Sequence, residues 1–126
     1  MEIKLKLNEV INMNTVIKNI ISDKNIELDS LAKFKFLGII NSLKGHIENF
    51  EVIRNEKILE YGKNNEKGQK YIDPKDTETL KKFSEELSAI LNSEVTVNIE
   101  KIKIDNIFDK GISIDYLTVL YPIMEE

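Results

Sequence analysis

The first residues alternate, with Ile3, Leu5 and Leu7 set against Glu2, Lys4 and Lys6, which is the period of a strand with one face buried. A strand is predicted over residues 2–7. From Asn8, a helix-capping residue type, Val10, Met13, Ile17, Ile20 and Ile21 recur at three- and four-residue steps, so they share one helical face. The polar run Ser22–Asn25 ends that helix. The longest element starts at Asp29 or Ser30, both able to cap, and runs to Tyr61, where Gly62 supplies a stop. It carries two stripes. Phe36, Ile40, Leu43, Ile47, Phe50, Ile58 and Tyr61 fall on one, and Leu31, Phe34, Gly38, Ser42, Gly45 and Val52 on the opposite side. The N-terminal half therefore reads as buried twice, with the first helix expected on the small-residue face. Two glycines inside a helix cost about 1 kcal/mol each relative to alanine, so a close approach is needed to offset them.

Residues 62–76, GKNNEKGQKYIDPKD, are polar, bear glycine and are closed by proline, and so predict a mobile connection. Loops of this kind carry function more often than cores do. A third helix follows a cap at Asp76 or Thr77, with Leu80, Phe83, Leu87, Ile90 and Leu91 as its apolar stripe. Residues 95–104 predict a strand whose alternation changes phase between Ile99 and Ile102, the mark of a bulge or bend. The closing segment predicts a short strand at 112–114 and a helical turn begun by Asp115 and ended near Pro122. There Leu117, Leu120, Tyr121 and Ile123 are expected to close the open end of the helical layer. No repeat or long linker divides the chain, so one α+β domain is expected: three main helices, one long and in a helical hairpin, a small antiparallel sheet joining 2–7 to 95–104, and a short C-terminal helix.

Composition narrows the function. At 126 residues and 14.6 kDa the chain is of single-domain size. It has no cysteine, which excludes disulfides and thiolate metal sites and fits a reducing cytoplasm. No apolar run approaches the roughly 20 residues of a spanning helix, and no secretory leader pattern opens the chain, so neither membrane insertion nor secretion is expected. Twenty-two acidic against 18 basic groups leave a net charge of −4, and Arg54 is the only arginine. Both features argue against a dedicated nucleic-acid reader. The richness in Ile, Lys and Asn suggests a low-GC genome.

Reactive constellations are absent. The one histidine, His46, has no carboxylate a helical turn away and reads as a half-packed side chain rather than a general base. Asp73, Asp76 and Glu78 lack the spacing of a calcium loop, and no phosphate-binding or nucleophile-elbow motif is present. Lys4, Lys6, Lys101 and Lys103 would make a basic patch if their strands were neighbours; without interleaved aromatics they read as a solvated face guarding an edge. No catalytic residue, metal or cofactor is therefore expected.

The order of parts carries a resemblance. An N-terminal strand leads into two helices, followed by a charged loop after ILEYGK, the helix LKKFSEELSAILNSEV, the alternating VTVNIEKIKI and the ending ISIDYLTVLYPIMEE. This is similar to the small phage proteins of low-GC bacteria grouped as the domain of unknown function 1617. The resemblance spans most of the chain and is strongest from Glu85 to Glu126; the first helix departs from it. It implies a phage or prophage origin and a cytoplasmic, non-enzymatic role, and it transfers no site residues. The expected function is protein binding, with a stoichiometric inhibitor of a bacterial defence complex, such as a CRISPR effector, as its concrete form. Nucleic acid would be reached only through the partner. The alternatives are a phage assembly or virion component, which would self-associate, and a carboxylate-dependent metal nuclease or hydrolase using Asp73, Asp76 or Glu78. The partner-binding candidates are Gly38, Ser42 and Gly45 on the long helix and Lys67, Lys70 and Tyr71 in the polar loop.

Overall fold

A computed structural model describes residues 1–125. Strand β1, Glu2–Lys6, passes without a turn into helix α1, Leu7–Ser22. The helix starts one residue before the expected Asn8 cap because Glu9 reaches back: the Lys6 N–H donates to Glu9 Oε1 at 3.0 Å, giving one of the end's free donors a partner. Helix α2, Ser30–Tyr61, begins where Asp29 Oδ1 accepts from the Ala32 N–H at 2.8 Å. It stops at Gly62.

The segment between the long helices is more structured than its composition predicts. Lys63–Asn64 (β2) and Lys70–Tyr71 (β3) pair antiparallel, and Asn65 Oδ1 accepts from the N–H groups of Lys67 and Gln69, both at 2.9 Å, to hold the turn. Gly68 takes φ 78°, a conformation that favours glycine. Helix α3, Thr77–Leu91, is capped by Asp76, whose carboxylate accepts from the Thr79 backbone and hydroxyl at 3.3 and 2.9 Å. It returns along α2: Glu86 meets Tyr61, and farther on Thr96 meets His46. This is the helical hairpin that the sequence predicts.

Residues 95–104 do not form one strand. Glu94–Asn98 (β4) pairs antiparallel with β1, placing Ile3 opposite Val97 and Leu5 opposite Val95. The phase change at Ile99 to Ile102 is a full break, after which Ile102–Lys103 (β5) pairs in parallel with Met124–Glu125 (β6). The break keeps both Ile99 and Ile102 buried, which one flat strand could not do. The expected strand at 112–114 is also absent. Ser113 instead caps helix α4, Ile114–Leu120, its Oγ accepting from the Tyr116 N–H at 3.2 Å, and Asp115 lies inside the first turn.

The core gathers one face of α1 (Val10, Met13, Ile17, Ile20), one face of α2 (Phe36, Ile39, Leu43, Phe50) and the inner sheet residues Leu5 and Val97. The closing segment contributes Leu120 and Ile123, both buried, with Leu117 half-buried; Tyr121 does not join them and stays 75% exposed. The apolar ending is thus part of the interior except at that tyrosine.

Candidate partner-binding surface

Helix α1 packs on the Phe36–Ile39–Leu43 face of α2, not on its small-residue face. A Cβ placed on Gly38 or Gly45 would meet nothing within 4 Å. The expectation that α1 covers these glycines is therefore overturned. The reason is physical: branched and aromatic side chains at 36, 39 and 43 remove more apolar area from water than the glycine face can, so burial selects that side. The opposite face stands open, with Leu31 58%, Phe34 74% and Val52 56% exposed. Leu37, exposed beside them, was missing from the sequence reading although it lies one residue from Gly38.

Beside the open face runs a groove of about 220 Å³, bounded by Phe34, Gly38 and Ser42 on α2 and by Asn98, Ile99 and Glu100 at the end of β4. Two contacts hold its walls. His46 Nε2 donates to Thr96 O at 3.1 Å, and Lys35 Nζ lies 3.8 Å from a Glu100 carboxylate oxygen. His46 is half-buried, and its ring is used to tie α2 to the free edge of β4.

Lys67, Lys70 and Tyr71 sit on the β2–β3 hairpin, all exposed. The helical rise puts about 24 Å between Gly45 and Tyr61, where that hairpin begins, so the structure does not bring the two groups of candidates into one site. The hairpin end is instead the polar end of the molecule. The Tyr61 hydroxyl donates to Glu86 Oε1 at 2.9 Å, and Lys57 Nζ lies 2.9 Å from Glu60 Oε2 and 3.2 Å from Glu86 Oε2. The bond from Tyr61 holds the Glu86 carboxyl below the ordinary carboxylate range and raises the phenol's own pKa; the bond to Glu60, seconded by Glu86, raises that of Lys57. This clasp fastens the end of α2 to α3.

Of the acidic candidates, Asp73 and Asp76 are committed to structure as well, and Glu78 is exposed in the first turn of α3. Lys63 Nζ lies 3.6 Å from Asp73 Oδ2 and 3.9 Å from Asp76 Oδ2, and the Thr79 bonds depress the Asp76 carboxyl. Among the described residues no group of three or more His, Asp or Glu is placed to hold a metal ion. Of the four lysines, Lys4 faces Thr96 and Lys6 faces Glu94 across β1–β4, whereas Lys103 lies on the separate β5–β6 pair. No described helix is long and apolar enough to cross a membrane. No protein-family model matches the chain, and neither does any curated protein or solved structure.

Proposed function

We propose that this protein acts by binding another protein through the open face of α2 and performs no chemistry of its own. One observation carries the reading: Phe34 is three-quarters exposed in line with Leu31 and Val52, on the same face as two helix-interior glycines where an added Cβ would meet no described atom within 4 Å. Each of those glycines costs about 1 kcal/mol, and the fold shows no internal return for it. A groove-bearing partner would use both features, the large side chains as anchors and the glycines as the point of closest approach.

The resemblance to small phage proteins supports a phage or mobile-element origin. On that reading the partner is a bacterial host or phage protein, and the chain is a stoichiometric inhibitor of a bacterial defence complex in the cytoplasm. Affinity capture from host lysate with the wild-type chain, Phe34→Asp and Gly45→Arg tests it. One host protein retained stoichiometrically by the wild type and lost by both variants is the expected result; equal recovery by all three, or none by any, overturns it. The second reading, an assembly or virion component, is favoured by a strand edge left open to pairing, and predicts co-purification with particles.

A further inference from the structure

The bonds between β1 and β4 determine which backbone groups of β1 point away from the sheet. Met1 N donates to Ile99 O at 3.1 Å and Ile99 N returns a bond to Met1 O at 3.0 Å, while Leu7 N donates to Ser93 O at 3.0 Å. Bonded residues alternate along an antiparallel pair, so residues 1, 3, 5 and 7 face β4 and the N–H and C=O groups of Glu2, Lys4 and Lys6 face outward. Lys6 is already used, its N–H held by Glu9 and its C=O opening α1. Glu2 and Lys4 keep outward backbone groups with no partner among the described residues. Their exposed side chains share the solvent face of the strand and form no ion pair among the described residues.

We propose that this edge pairs with β1 of a second copy of the chain, antiparallel, with a two-fold axis through Ile3. Glu2 then faces the second copy's Lys4, Ile3 faces its own equivalent, and Lys4 faces the second copy's Glu2. Both charged pairs exchange N–H···O bonds using only the free backbone groups, and opposite charges stand directly across the strands. The arrangement is isologous, as a closed two-fold interface requires. It also converts a two-stranded ribbon, marginal by itself, into a four-stranded antiparallel sheet. The next register, centred on Lys4, sets two lysines against each other and needs the Lys6 N–H that Glu9 holds, so the charges and the capping contact together select the register at Ile3.

Size-exclusion chromatography with light scattering tests the pairing independently of the α2 face. The wild type is expected at twice 14.6 kDa. Glu2→Lys and Lys4→Glu each set like charges across both pairs and raise the dimer dissociation constant about tenfold. The exchanged variant Glu2→Lys with Lys4→Glu restores the wild-type constant. A monomeric wild type, an unchanged dimer in the single variants, or a double variant that stays dissociated overturns the proposal.

Discussion

The two halves of α2 are held by different physics. Up to Phe50 the helix presses Ala32, Phe36, Ile39, Leu43 and Phe50 into the common core and leaves its other side bare. From Glu51 to Tyr61 it buries no residue fully, and it stays beside α3 through half-buried apolar contacts and the clasp of Lys57, Glu60, Tyr61 and Glu86. The first half is fixed by removal of oily surface from water, which has no directional preference. The second depends on charges and hydrogen bonds at partial exposure, which contribute less and respond to pH and salt.

Removing what closes the first half gives the largest effect. Deletion of residues 115–126 takes away Leu120 and Ile123, each stabilising by roughly 1.5–3 kcal/mol when buried, and exposes the surfaces they cover. Loss of the cooperative melting transition, or aggregation, is expected; a soluble truncation that melts cooperatively would show that the segment is dispensable. Next comes Phe36→Ala, expected to cost about 3–5 kcal/mol in denaturant titration, against about 1–2 kcal/mol for Ile58→Ala in the second half. Equal costs would erase the contrast between the halves.

The bare side of the first half gives a smaller effect of opposite sign. Gly38→Ala and Gly45→Ala each gain about 0.5–1 kcal/mol, because the added methyl meets no atom and the helix interior favours alanine. Destabilisation by either change would mean that the face is covered within the monomer.

The clasp gives the smallest effect, read by its pH dependence. The carboxyl of Glu86 is held below its ordinary value of 4.5, so its contribution is fully present above that pH and is lost as pH falls through the lower folded value. Glu86→Gln should flatten the decline of Tm on acidification through that range. A variant whose Tm falls as steeply as the wild type's would remove Glu86 from the account.

Much of the framework was readable from local rules. The alternation at Ile3, Leu5 and Leu7, the caps at Asp29 and Asp76 and the stop at Gly62 are effects of neighbours in the chain, and the corresponding elements stand where those residues put them. The β2–β3 hairpin was missed because its strands are two residues long and carry only one aromatic residue, Tyr71, so no hydrophobic period marks them. The break after Asn98 left only a phase change as its trace. Of the candidate surface, the residues of the small face were legible as a set, but their exposure was not. Tyr61 and Glu86 are 25 residues apart, and no local pattern couples them.

By itself the sequence determined the three main helices, the caps at Asp29 and Asp76, the first strand and which side chains of α2 share a face, because a period of 3.6 residues and a short-range hydrogen bond need no distant partner. Only the tertiary structure decided which of the two faces of α2 lies against α1, and that Gly38 and Gly45 look outward. That choice compares the apolar area buried in alternative packings of segments far apart in the chain, a quantity that exists only once the chain has closed on itself.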